Sequence, residues 1–181
     1  MLYRETVQLK NGAELLLRSA DAADGAEALA VFNQTHAETE YLLTYSDETS
    51  FTAENEAELL QKKAESEKSV FILAVLDGKV VGDAGFDPVG SRDKLKHRAE
   101  FGIAILKEYW GIGIGSALTD ACIKCAKEAG YRQLELDVVA ENTAAIALYK
   151  KHGFVEFGRN PRGFLLRSGE YQEFVNMRLE L

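Results

Sequence analysis

Between residues 100 and 130 the chain passes from a short apolar run through three alternate glycines into an amphipathic segment, which commits this region to strand, tight loop and helix in that order. Glu100 to Leu106 (EFGIAIL) is rich in β-branched and apolar residues and is bounded by charge, the pattern of a strand covered on most of its surface. Leu118, Ala121, Cys122, Cys125 and Ala129 then recur at steps of three and four, giving one helical face to bury, and Gly130 closes the helix as a left-handed cap. Between them lies Trp110 to Ser116, WGIGIGS. Without Cβ atoms in the way, successive N–H groups can turn inward, and the first helical turn adds its own unpaired donors and positive dipole end. A phosphate or diphosphate is the guest such a loop suits.

Three loops of this kind compete. A kinase-type phosphate loop requires a Lys that does not follow Gly115. A dinucleotide GxGxxG fingerprint would start at Gly111 and Gly113 but meets Ser116 where the third glycine belongs, although Glu135 and Asp137 stand at about the right distance to hold a ribose. The third is the diphosphate loop of an acyl-coenzyme A transferase.

A second motif bears on that choice. In Glu141 to Phe154, ENTAAIALYKKHGF, Asn142 can cap a helix whose Ala145, Leu148, Tyr149 and His152 share a face, and Gly153 ends it before a strand begins at Phe154. With Leu134 to Val139 (LELDVV) ahead of it, the order is strand, turn, helix, strand. Together the two motifs resemble the GCN5-related N-acetyltransferase (GNAT) family. Its loop motif (Q/R)xxGxG/A falls on Trp110, Gly113 and Gly115, and its NxxAxxLYxxxGF motif on Asn142, Ala145, Leu148, Tyr149, Gly153 and Phe154. Trp110 departs from the usual Gln or Arg at a position that contributes mainly backbone. Its indole can brace the loop from beneath or be a core aromatic at a strand exit.

The resemblance implies an α/β (α+β) fold, with a mixed, mostly antiparallel sheet of about seven strands flanked by helices and parted at the cofactor site. It also implies direct attack of an amine on acetyl-coenzyme A in a ternary complex. The arm of acetyl-CoA, the co-substrate, would pair with the backbone of Ile103 and Ile105, and one N–H of that strand would meet the developing oxyanion. Trp110, Gly111, Ile112, Gly113, Ile114, Gly115 and Ser116 would hold the diphosphate. Asn142 and Ala145 would border the arm, and Lys151 would meet a phosphate or simply face solvent. Tyr149 takes the place of the general acid, since a phenol of pKa about 10 stays protonated at working pH and can protonate a departing thiolate. For the base the family offers two carboxylate positions, here Glu100 and Asp137, or a water chain. Glu38 and Glu40 fall on the loop expected to attract the amine.

Composition narrows the function further. A net charge of −8 argues against nucleic acid as the main partner. No run is long and apolar enough for a membrane span, and MLYRETVQLKNG is too charged for a signal peptide, so a cytoplasmic enzyme is expected. Cys122 and Cys125 form a CxxC, but His36, His97 and His152 lack ligand spacing to it, so the thiols read as core residues and no metal is expected. Arg92, Lys94, Lys96 and Arg98 read as a solvated connection.

At 181 residues, with no repeats or linkers, residues 1–181 read as one domain. Strands are expected over Tyr3 to Leu9 and Glu14 to Arg18 around an Asn11, Gly12 turn, then a helix capped by Asp21 running to about Ala37. A helix-poor stretch, Glu38 to Ser50, precedes a polar helix over about Thr52 to Ser66. Val70 to Leu76 and Val80 to Phe86 make a hairpin around Asp77 and Gly78, and Val155 to Leu166 with Tyr171 to Leu179 makes another around Ser168 and Gly169. The sequence is therefore read as an N-acetyltransferase acting on a primary amine of a small molecule or peptide, with homodimerisation through the closing strands expected. A catalytically silent acetyl-CoA-binding sensor or assembly protein and a dinucleotide enzyme are its rivals.

Overall fold

The computed structural model describes residues 2–48 and 50–181; Thr49, within the stretch read as helix-poor, and Met1 lie outside the described residues. Strands β1 (Arg4–Gln8) and β2 (Glu14–Ser19) form the first hairpin, where Asn11 Oδ1 accepts the Ala13 N–H at 3.1 Å. The helix expected from Asp21 starts instead as a 3-10 turn, Ala22–Asp24, with α1 (Gly25–Glu38) following. The reason is local. Asp21 accepts the Ala23 N–H, Asp24 returns to the Asp21 N–H, and Asp24 is also held by Arg18 through two bonds of 2.6 and 2.7 Å. Helix α2 (Ala53–Glu65) is opened by a reciprocal cap between Thr52 and Asn55.

Strands β3 (Val70–Leu76) and β4 (Lys79–Pro88) turn through Asp77 and Gly78, both at positive φ, the pair a tight hairpin of this hand requires. Strand β5 (Arg98–Ile105) starts two residues before the expected Glu100, because Arg98 leaves the basic connection to form a two-pronged ion pair with Glu135. After the glycine loop come α3 (Ile114–Glu128), β6 (Gln133–Val139), α4 (Thr143–Lys151), β7 (Val155–Leu165) and β8 (Tyr171–Glu180).

The eight strands form one sheet in the order β1-β2-β3-β4-β5-β6-β8-β7, the count of about seven being exceeded by the additional N-terminal strand. Among the described residues only β5 and β6 run parallel, and they stay paired only at Arg98, Ala99 and Glu100. Beyond that point β5 follows β4 as far as Ile105, while β6 follows β8 as far as Val139, so the two part. A sheet antiparallel nearly throughout overturns the dinucleotide-enzyme reading, which needs parallel strands around its loop.

Each face of the sheet carries its own core. Leu118, Ala121, Cys122, Cys125 and Ala126 of α3 pack on Leu15, Ile72, Ala84 and Phe86, so both cysteines sit in the buried stripe. On the opposite face Ala28 and Val31 of α1 and Leu60 of α2 cover Leu73 and Val80. Truncating Leu118, which is fully buried, would cost about 2–5 kcal/mol. No helix among the described residues is long and apolar enough to cross a membrane.

Candidate active site

Where the strands part, β5 presents an unshared edge. The Leu106 N–H bonds to Val81 O at 3.0 Å, so backbone groups of the even-numbered residues face β4 and those of Ile103 and Ile105 face the gap. The Trp110 indole N–H donates to Ile105 O at 2.7 Å, and the side chain is 46% exposed. Trp110 is therefore no core aromatic; it ties the glycine loop to the end of β5.

Gly111 and Gly113 have φ of 81° and 109°, values that L side chains disfavour, and Gly113 stands as the residue before α3. The first bond inside the helix runs from the Ala117 N–H to Gly113 O, which leaves the N–H groups of Ile114, Gly115 and Ser116 unclaimed by the helix. Ile114 is buried and Ile112 packs on the core, so these two can offer a ligand only backbone. Gly115 packs closely on α4 as well, for a Cβ there would stand 3.0 Å from Leu148 Cδ2 and require that side chain to shift by a few tenths of an ångström.

Helix α4 is capped by Asn142, whose Oδ1 accepts the Ala145 N–H at 3.2 Å, so the amide NH2 is what Asn142 can offer a ligand. From its far end Lys151 donates to Ser116 Oγ at 3.1 Å. His152 joins α4 to α3: its ring nitrogens stand 2.8 Å from Ser116 Oγ and 2.9 Å from Asp120 Oδ1. Nothing in a single sequence signals that strut.

These elements enclose a cavity of about 460 Å³. Its walls bring together Ile103, Ile105, Trp110, Gly111, Gly113, Gly115, Ser116, Asn142, Ala145, Tyr149 and Lys151, nearly the whole set expected to hold a cofactor. The fit to a diphosphate-bearing thioester is sound. Unclaimed amides and Lys151 can neutralise the diphosphate, an open strand edge can pair with an amide-bearing arm, and apolar Leu148 and Ala145 can border its chain. Tyr149 is 7% exposed, lies edge-on to Phe101 at 6.1 Å, and burial pushes its phenol above the usual value.

A second cavity of about 740 Å³ lies between the sheet and helices α1 and α2, and it shares Thr35, Leu42, Ile103 and Ala104 with the first. Phe32, Leu59 and Phe71 give it apolar walls, and Gly102 and Ala104 lie along β5 at its side. Glu100 reaches it, opposite Asp87 in the β4–β5 register, with Asp87 ion-paired to Lys63. Asp137 does not: it is exposed on β6, accepts the Asn176 amide at 2.6 Å and lines neither cavity. Glu38 and Glu40 are also absent from both walls. Glu38 accepts the Lys107 N–H at 2.7 Å and so secures the end of α1, while Glu40 faces a smaller depression beside the loop. Glu48 takes the place expected of them, because Arg167 clasps Asp47 at 2.7 and 2.9 Å and folds that loop toward the β7–β8 turn.

Sequence reasoning missed three further residues of this cavity: His36, Glu56 and Asp83. His36 Nδ1 lies 2.7 Å from Phe32 O, so it carries the ring proton, and burial lowers the pKa of the ring. Burial raises Glu56, with Lys63 opposing. Asp83 is pushed up to about 7, first by burial, then by Glu56, with Lys63 acting against both. One signal was available for Asp83: a lone carboxylate inside the otherwise apolar strand VVGDAGF.

Known proteins resemble this chain in sequence and fold. The chain is 36% identical over 107 residues to the L-amino acid N-acetyltransferase AaaT of Escherichia coli, covering 59% of this chain and 65% of AaaT. Its fold superposes on the GNAT-family acetyltransferase of Streptococcus pneumoniae with a TM-score of 0.88 at 34% identity, over 92% of this chain and 99% of that one. A phosphinothricin acetyltransferase from Sinorhizobium meliloti, solved with acetyl-CoA, shares the fold at a TM-score of 0.80 and 22% identity, over 91% and 87% of the two chains. The sequence profile of the acetyltransferase (GNAT) family matches residues 31–154, which span the glycine loop, the parted strands and helix α4, and the chain therefore belongs to that family.

Proposed function

We propose that the protein transfers the acetyl group of acetyl-CoA to a primary amine of a small molecule or peptide, by direct attack where the two cavities adjoin. The observation that carries this reading is the pair of cavities sharing Ile103 and Ala104, one framed by unclaimed amides, the other rich in carboxylates. The diphosphate rests on the amides of residues 112–116 with Lys151 beside it, and the arm lies along Ile103 and Ile105. A free N–H of that edge receives the charge that develops on the carbonyl oxygen. Tyr149 donates its proton to the departing sulfur, and its apolar surroundings keep the phenol protonated until that moment.

The acceptor chamber favours a positively charged guest. Among the described residues that line it, Glu48, Glu56, Asp83, Asp87 and Glu100 face it against one lysine, Lys63, itself ion-paired to Asp87. Glu100 draws in the ammonium group by its charge. An amine with an apolar body suits this chamber better than an amino acid, whose carboxylate would meet no free lysine or arginine among the described residues that line it. Homodimerisation through the closing strands belongs to the same proposal, supported by the exposed Val155, Phe157 and Leu165 on edge strand β7. The direct test is coenzyme A release from acetyl-CoA over a panel of apolar amines, polyamines, amino acids and peptide N-termini. Release with no member of the panel refutes the reading.

A further inference from the structure

We infer that Asp83 is the group that takes the proton from the acceptor amine. This rests on the acetyl-transfer reading above and names the base within it. The position is set by register: Asp83 stands directly opposite Ala104, so the two side chains share the sheet face turned toward α1 and α2, and Ala104 belongs to both cavities. Gly102 follows on that face, and a Cβ there would meet nothing within 4 Å, which leaves room for an amine beside Asp83. Glu100 is placed differently. It lies four residues before Ala104, roughly 13 Å along the strand, where β5 and β6 are still paired and the edge has not yet opened.

The surroundings suit a base. Glu56 and Lys63 face Asp83 from α2, His36 lines the same chamber from α1, and Glu48 comes from the loop that follows. Asp87 and Glu100 lie farther along the sheet, and the Cys122 thiol, raised by its own burial, lies behind it on α3. Partial burial and the nearby Glu56 disfavour the charged form of Asp83, whereas Lys63 restrains the shift, leaving the carboxyl at about 7. A base poised there is deprotonated often enough at neutral pH and still basic enough to accept an ammonium proton.

An R–NH3⁺ acceptor gives one proton to the Asp83 carboxylate and becomes R–NH2, whose lone pair forms the C–N bond to the thioester carbonyl carbon. The C–S bond then breaks with its electron pair on sulfur, Tyr149 protonates that sulfur, and the second proton leaving nitrogen restores the phenol. Asp83 sheds its proton to water. The products are the acetamide, the free thiol and one proton.

The test compares wild type with Asp83→Asn, which is nearly isosteric, and with Asp83→Glu, measuring kcat/KM against pH for the best amine of the panel and acetyl-CoA affinity by calorimetry. Wild type is expected to lose activity below a midpoint near 7. Asp83→Asn should lower kcat/KM by at least about 100-fold and abolish that acid limb, with acetyl-CoA affinity within twofold of wild type. Asp83→Glu should recover part of the rate and show a displaced limb. Glu100→Gln should raise KM while keeping the limb. An Asp83→Asn protein that retains rate and limb overturns the assignment while acetyl transfer stands; no turnover by wild type with any amine overturns both.

Discussion

The left-handed backbone at Gly113 can be tested by adding one methyl group. With φ at 109° and only Leu9 Cδ2, at 3.8 Å, near the position a Cβ would take, Gly113→Ala introduces no collision and changes only backbone strain. For an L-residue that strain is about 1–2 kcal/mol. In a chain of this size it corresponds to a fall in Tm of roughly 2–8 °C if the loop keeps its shape. If the free loop relaxes instead, the same energy appears on binding, as an acetyl-CoA Kd raised roughly 5- to 30-fold. Scanning calorimetry of the free protein and a binding titration together capture the whole penalty wherever it falls. Gly102→Ala is the control, since its φ is ordinary and its Cβ enters open space, and it should leave Tm unchanged or slightly higher. A Gly113→Ala protein with wild-type Tm and wild-type Kd refutes the claim that this backbone is needed for the cradle.

Other outcomes follow from the same geometry. Tyr149→Phe should lower kcat by about 100-fold with acetyl-CoA affinity little changed, and full turnover across pH would remove Tyr149 as the acid. Trp110 is the only tryptophan and stands beside the cofactor cavity, so acetyl-CoA binding should alter the intrinsic indole fluorescence; a flat titration alongside calorimetric binding would place the ligand elsewhere. Asp24, held below the usual carboxylate range chiefly by Arg18, contributes stability that is present above its unfolded pKa of about 3.9 and is lost as pH falls through the lower folded value. Asp24→Asn should therefore cost about 1–2 kcal/mol at pH near 7 and lose less than wild type on acidification, as read by urea melts at both pH values. Cys122 and Cys125 are fully buried, so a thiol reagent should modify them only at the rate of unfolding; rapid labelling of the native protein would contradict their place in the core.

The parts of this molecule legible in its sequence are those governed by short-range rules. Asn11 with Gly12 and Asp77 with Gly78 mark turns because few residues accept positive φ, and the polar helix expected from about Thr52 begins at Ala53. The wall of the smaller cavity is legible for the same reason: Trp110 to Ser116 and Asn142 to Lys151 each lie within one loop or one helix. The larger cavity, proposed above for the acceptor, is assembled from six separate segments and follows other rules. Glu38 looks available for an amine until the Lys107 N–H is seen to occupy it, and Glu48 enters only because Arg167, more than a hundred residues away, anchors Asp47. Asp83 depends on register, since its face is decided by pairing with Leu73 and Ala104 on neighbouring strands. His36 becomes a one-sided acceptor only through the carbonyl one helical turn before it.

Any strand that loses its neighbour midway leaves a sticky seam, because bare main-chain groups recruit extended segments from other molecules. Here that seam is five residues long, Phe101 to Ile105, and its last carbonyl is already stoppered by the Trp110 indole. A thioester arm laid along it would act as a detachable filler strand, so loading with acetyl-CoA should protect concentrated protein from clumping as well as supply the acyl group. Removing the indole, as in Trp110→Phe, should make the empty protein more prone to self-association than the loaded one.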